Sequence, residues 1–176
     1  MTMKHRILVC VLFLGLLAGC APSGVSAGVD LVFAEFRFNI PESPSAIGVQ
    51  GNGLFTALRY GAEPGKNYLT FADRPPYPAA GCPPEVFFAQ FMESENPVNQ
   101  ASCDPDQVRH FSELMAESAL EHGLWQSSAN LTAFYLVQAS KTMVFLMGGN
   151  GAFVKIESDF MDLGALEEMV MGTSQR

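Results

Sequence analysis

Residues 131–158 constrain the fold more than any other part of the chain. Three short apolar runs, 131–139, 142–147 and 152–158, are separated by Ser140-Lys141 and by Gly148-Gly149-Asn150-Gly151. Runs of that length between turn residues read as β-strands joined by hairpins. The middle run, Thr142-Met143-Val144-Phe145-Leu146-Met147, is apolar on both faces. It therefore belongs at the centre of a sheet that is covered on each side. With 14 Phe and 9 Met the chain has the side chains to supply that cover, and we read them as core rather than as the lining of a ligand cavity.

Upstream, residues 30–40 alternate. Val32, Ala34, Phe36, Phe38 and Ile40 fall on one side and Glu35, Arg37 and Asn39 on the other, the pattern of one half-buried strand ended by Pro41 and Pro44. Gln50-Gly51-Asn52-Gly53 marks a turn into a strand over 54–60, and residues 61–66 a turn into another over 67–72, so the segment reads as a meander. The Pro-rich stretch 73–102 holds one short helix, 84–93, with Phe87, Phe88, Phe91 and Met92 toward the sheet. Residues 104–122 read as the principal helix. Asp104 is the N-cap, Pro105 takes the first position, Gln107 completes a capping-box pattern and Gly123 follows the end. Its winding puts Val108, Phe111, Met115 and Ala119 on a buried face and His110, Glu113, Glu117 and Glu121 opposite. A last helix runs over about 159–171, buried along Leu163, Leu166 and Val170. This order of strands, central helix, strands and terminal helix is weakly similar to PsbP-like α/β/α sandwich domains, without a diagnostic motif.

The N-terminus supplies an address. Lys4 and Arg6 precede an apolar run over 7–16, and the segment closes on Leu17-Ala18-Gly19-Cys20. The run is shorter than the ~20 apolar residues a bilayer span needs, so it reads as a cleaved export signal. Its last four residues closely resemble the lipobox of bacterial lipoproteins. That resemblance implies cleavage before Cys20, a diacylglyceryl thioether on its sulfur and acylation of its new amino group. At about 0.8 kcal/mol per buried methylene, two or three chains make a permanent anchor. Ala21, where the family uses Asp to retain a protein in the inner membrane, implies the periplasmic face of the outer membrane. The expected organisation is a signal peptide over 1–19, a lipidated tether over 20–29 and one globular domain over 30–176. A tether of that length reaches at most about 30 Å, which holds the domain close to the membrane.

With Cys10 lost in the signal and Cys20 lipidated, Cys82 and Cys103 remain. In an oxidising compartment they are expected to pair. A loop of about 20 residues closed in this way gains roughly 3 kcal/mol. The expected fold is thus α+β: an antiparallel sheet of about six strands packed with two or three helices, with one disulfide-closed loop.

Charge and motifs mainly exclude. The 18 acidic residues exceed the 10 basic ones for a formal net charge of −8, and losing Lys4 and Arg6 makes the mature chain more acidic still. No Lys/Arg cluster is present to neutralise phosphates, which excludes nucleic acid as a partner. There is no Gly-x-Ser-x-Gly elbow and no Gly-rich phosphate loop. His110 and His122 both fall on the one predicted helix, so a Ser-His-Asp or Cys-His site has little to draw on, and His122 reads as a cap at that helix's C-terminus. The His110, Glu113, Glu117 and Glu121 stripe reads as a solvated face rather than a metal site, since convergent, supported ligands are missing. No cofactor is implied. With the exposed Pro and aromatic residues around Tyr77, the acids Glu113, Glu117 and Glu121 form the candidate partner-binding surface. The expected function is a non-enzymatic envelope lipoprotein, held to the membrane through Cys20, that binds another protein. An immunity protein against a cationic periplasmic toxin is one version. A carrier of a hydrophobic ligand or lipid and a cell-envelope hydrolase are the alternatives.

Overall fold

The apolar run 142–147 forms a strand that is buried along its whole length, and its alternation organises the rest of the molecule. The computed structural model describes residues 28–41, 43–73, 81–92, 103–116, 118–127 and 130–176. The export signal, Cys20 and most of the tether, Tyr77 and Glu117 lie outside the described residues. In chain order the elements are β1 (Val29–Phe33), β2 (Phe36–Ile40), β3 (Ala46–Gln50), β4 (Phe55–Arg59), β5 (Tyr68–Ala72), α1 (Pro84–Met92), α2 (Pro105–Phe111), a π-helical turn (Ser112–Ala116), β6 (Ala119–Gln126), β7 (Thr132–Gln138), β8 (Thr142–Met147), β9 (Phe153–Ser158), α3 (Leu163–Met171) and β10 (Ser174–Gln175).

Seven strands form one antiparallel sheet in the order β3-β4-β5-β9-β8-β7-β6. It consists of two meanders joined where β5 pairs with β9, Leu69 lying opposite Ser158 and Ala72 opposite Lys155. A second sheet of three strands, β1-β2-β10, is also antiparallel. Alternate residues of β8 enter two separate cores. Val144 and Leu146 pack with Phe36, Phe38, Phe71, Trp125, Leu166 and Val170 from the small sheet, α3 and the neighbouring strands. Met143, Phe145 and Met147 pack with Phe87, Phe88 and Phe111 from α1 and α2. The molecule is therefore three layers, with the large sheet in the middle and its apolar strand covered on both faces. The Phe88 ring lies 4.6 Å from Phe145 and 5.2 Å from Phe134, stacked on both, and offset contacts of this kind add to the area that the rings bury. Cys82 and Cys103 are bonded with their Cα atoms 4.9 Å apart, fastening the start of α1 to the start of α2. The fold is α+β with a disulfide-closed loop, as the composition and turn pattern led us to expect.

Several elements differ from their sequence reading, each for a physical reason. The single strand expected over 30–40 is a hairpin, with Phe33 opposite Phe36 across a turn at Ala34-Glu35. In one continuous strand Phe33 and Phe36 would point to opposite faces; the turn buries both. Ala34 adopts φ +50° to make it, a conformation alanine rarely takes. The helix expected over 104–122 stops being α-helical at Phe111, passes through the π-helical turn and becomes strand from Ala119. Its start is as expected, since Asp104 accepts the Asp106 N–H at 2.9 Å and Pro105 opens the helix. The competing element is β6, which pairs with β7 from Ala119 to Gln126 with a bulge after Ala119. A helix through 122 would forfeit that ladder and leave β7 unpaired along its edge. His122 accordingly lies in a strand and caps no helix.

Strand β3 was not expected at all. All five of its residues are exposed, so no burial pattern marks it in the sequence. The sheet's central strand is β9, with β8 beside it. The last helix begins at Leu163 behind the N-cap Asp162, whose carboxylate accepts the Ala165 N–H at 2.8 Å. Residue Asp159, expected inside that helix, instead accepts the backbone N–H groups of Asn67 and Tyr68 at 3.1 and 2.8 Å.

Candidate functional surfaces

The acidic stripe read from helical spacing does not exist as one surface. Glu113 stands on the π-helical turn, 3.7 Å from Arg109, on the side of the large sheet that α1 and α2 cover. Glu121 stands on β6 and accepts a hydrogen bond from the Tyr135 hydroxyl at 3.2 Å. Tyr135 packs against the opposite core, beneath α3, so the two carboxylates face away from each other across the sheet. His110 is exposed on α2, and His122 lies on β6 with its ring 6.5 Å from Phe91. Among the described residues no three His, Cys, Asp or Glu side chains stand close enough to hold a metal ion.

Two other surfaces emerge that periodicity could not reveal. The first is the outer edge of β3. Among the described residues it pairs with β4 alone and ends the sheet. Ile47 and Val49 are 60% and 65% exposed, and Ala46-Ile47-Gly48-Val49-Gln50 contains no charge. Exposed edge strands ordinarily carry Lys, Pro or a bulge that discourages further pairing. This one has none of the three. The opposite edge, β6, carries the bulge after Ala119 together with Glu121.

The second is the polar half of the sheet face shared with α1 and α2. Those helices seal the β7, β8 and part of the β9 surface with aromatic rings, and no residue of β4 or β5 belongs to that core. On β9 the same face carries Lys155 and Glu157, and Lys141 reaches it from the turn before β8. Both ammonium groups bond one carboxylate oxygen of Glu157, at 2.8 and 3.0 Å. The side chains of Glu157, Lys155 and Lys141 are only 15%, 24% and 28% exposed. Burial pushes the Glu157 carboxyl pKa up, but the hydrogen bonds and charges of Lys155 and Lys141 outweigh it and hold the group below the usual carboxylate range. The neighbouring Tyr68 hydroxyl is raised by burial, with Lys141 opposing and Asp159 and Glu157 adding to the rise. No spacing in the sequence signals this group, because its members meet only through the register of β5, β9 and β8.

A groove of about 370 Å³ lies between β2 and α3, lined by Asn39, Pro41, Ala165, Glu168, Met169 and Gly172. Its lining mixes a carboxylate and an amide with apolar groups, unlike the apolar enclosure an acyl chain takes. No protein-family model, no curated protein and no solved structure matches this chain.

Proposed function

We propose that this chain is an envelope lipoprotein, anchored through Cys20 to the periplasmic face of the outer membrane, that acts without catalysis by binding another protein. The observation that carries the reading is β3: five exposed residues, no charge, Ile47 and Val49 turned outward and one side of the strand unpaired among the described residues. An extended segment of a partner can add to such an edge as a further strand. Its main chain supplies the affinity and its alternate side chains meet Ile47 and Val49. The formal charge of −8 lies away from this strand, so the partner fitting it is a basic protein that presents an uncharged extended segment. A cationic periplasmic toxin has that chemistry.

The test is chemical crosslinking and co-purification from membranes with the full chain, comparing wild type with Val49→Lys and Cys20→Ser. Val49→Lys is expected to leave the unfolding free energy within about 0.5 kcal/mol of wild type, as an exposed substitution does. It should remove a stoichiometric, basic crosslinked partner. Cys20→Ser should release the protein from the membrane fraction. Equal crosslinking in wild type and Val49→Lys would refute the edge reading, and membrane retention of Cys20→Ser would refute the anchor.

A further inference from the structure

Asn-Gly occurs twice in the chain, at Asn52-Gly53 and at Asn150-Gly151. The pair is open to loss of the side-chain amide because glycine, having no side chain, leaves its own nitrogen unshielded beside the asparagine Cγ. In sequence the two sites are equivalent. The fold separates them by one position in a turn.

The first site closes the hairpin of β3 and β4. Gln50 stands opposite Phe55, and the Leu54 N–H donates to the Gly51 carbonyl at 3.1 Å. Asn52 and Gly53 are thus the two central residues, at φ +57° and +89°, the signs of a type I′ turn. Because Leu54 makes the turn bond, the Gly53 N–H has no acceptor among the described residues. Asn52 is exposed, and its side chain makes no hydrogen bond among them either. At the second site the Gly151 N–H itself makes the turn bond, to the Gly148 carbonyl at 3.1 Å. The Asn150 amide is held at both ends. Its Nδ2 donates to Glu35 at 2.7 Å, and its Oδ1 accepts from the Ala152 N–H at 3.0 Å and from Gln175.

We propose that Asn52 is a site of spontaneous covalent modification, converted to aspartate and isoaspartate, and that isoaspartate there disables the β3 edge. The Gly53 nitrogen attacks Asn52 Cγ. The N–Cγ bond forms, the Cγ–Nδ2 bond breaks, and the proton given up by the Gly53 nitrogen leaves with Nδ2 as ammonia. Solvent water then opens the cyclic imide. Addition at Cγ gives aspartate, and addition at the Asn52 main-chain carbonyl gives isoaspartate, in which the chain runs through Cγ. Nothing is oxidised or reduced. Ring closure needs rotation out of the turn. One turn hydrogen bond at an exposed hairpin end resists that rotation at Asn52, whereas at Asn150 four hydrogen bonds do.

Both products add a carboxylate at the end of a strand that carries no charge. Isoaspartate also lengthens the main chain by one methylene, and a two-residue turn holds its strands in register only at its normal length. The edge bearing Ile47 and Val49 then loses its alignment with β4. This consequence rests on the function proposed above for that edge, and the modification itself does not.

The experiment holds the full chain, purified in nonionic detergent, at mildly alkaline pH and physiological temperature, either folded or in urea. Its peptides are followed by mass and by isoaspartyl methyltransferase labelling. In the folded protein Asn52 should convert about tenfold or more faster than Asn150, and in urea the two should convert at similar rates. Similar rates in the folded protein, faster conversion at Asn150, or an Asn52 that converts only in urea would each overturn the site. Asn52→Gly, which keeps a residue suited to positive φ, should abolish labelling of the turn. The aged, isoaspartyl fraction is then compared with fresh wild type and with aged Asn52→Gly in the membrane crosslinking assay. Loss of the partner in aged wild type alone supports the effect on the edge, and equal crosslinking of aged and fresh wild type overturns it. If fresh protein crosslinks no partner, the binding reading fails and the effect on the edge with it, while the two conversion rates still decide the modification.

Discussion

Glu157 illustrates how a single side chain takes its role from its neighbours. In the unfolded chain it is an ordinary carboxyl, whereas on β9 it is largely buried and bound by two ammonium groups. Because its folded pKa lies below the unfolded value, the folded state binds fewer protons as the pH falls through the carboxylate range. The stability it supplies is present above the unfolded pKa and is lost as pH drops toward the folded one. Glu157→Gln should lower stability at pH 7 by about 1–3 kcal/mol, since it leaves two half-buried ammonium groups without their anion. The loss should shrink on acidification to pH 3, as measured by urea unfolding at each pH. An equal loss at both pH values would separate Glu157 from the acid sensitivity of the fold. Gly123 is a second case. Read as a helix stop, it serves in β6 as the space beneath Tyr135, whose hydroxyl lies 2.5 Å from where a Cβ would stand. The Tyr135 ring then stacks on Trp125 with centroids 4.6 Å apart. Only the cross-strand neighbour reveals that use.

At the scale of elements, legibility followed burial. Strands β5, β7, β8 and β9 were readable because buried side chains leave a pattern, and α1 because Phe87, Phe88 and Phe91 recur on one face. The hairpin of β1 and β2 hid its turn, since Ala34-Glu35 lacks the Asn or Gly that a positive φ usually selects. Relief of that conformation gives a direct test. Ala34→Gly should raise stability by about 0.5–1 kcal/mol, the strain of a left-handed alanine less the entropy glycine adds to the unfolded chain. Ala34→Val should lower it. Urea midpoints of the two variants would check this, and a loss in Ala34→Gly would contradict the turn. The conversion of the expected helix beyond Phe111, up to His122, into a π-helical turn and strand has another cause. Helical periodicity and caps describe a segment's own preference, and β7 offered an unpaired edge that outweighed it. The candidate surfaces suffered most. Glu113 and Glu121 were aligned only on a helix that ends before both, while Lys141 meets Lys155 and Glu157 only through the register of the folded sheet.

At the scale of the whole molecule, three layers share one central sheet, and the two cores on its faces are held by different means. Beneath α3 the small sheet contributes Phe36, Phe38 and Ile40 in addition to the helix. Beneath α1 and α2 the cover is two short helices, fastened at their starts by Cys82 and Cys103. Helices of nine and seven residues are too short to persist alone, so the bond and the ring contacts hold that layer. Replacing both cysteines by serine should cost about 3 kcal/mol in the loop-entropy account. It should loosen α1 and α2 before the sheet, seen as faster amide exchange over 84–92 and 105–111 than over 142–158. Uniform loss of protection would mean that the two layers unfold as one unit.

By itself the sequence determined the fold class, the covered central strands, the cap at Asp104 and the pairing of Cys82 with Cys103. These follow from local turn chemistry, from alternation under burial and from the scarcity of other partners for two cysteines. Only the tertiary structure decided that 30–40 folds back on itself, that 119–126 is the sheet's edge, that β3 exists and that Lys141 and Lys155 meet on Glu157. Each of those depends on which strand lies beside which, and strand order is set by the packing of distant segments, a free energy that no local stretch of sequence contains.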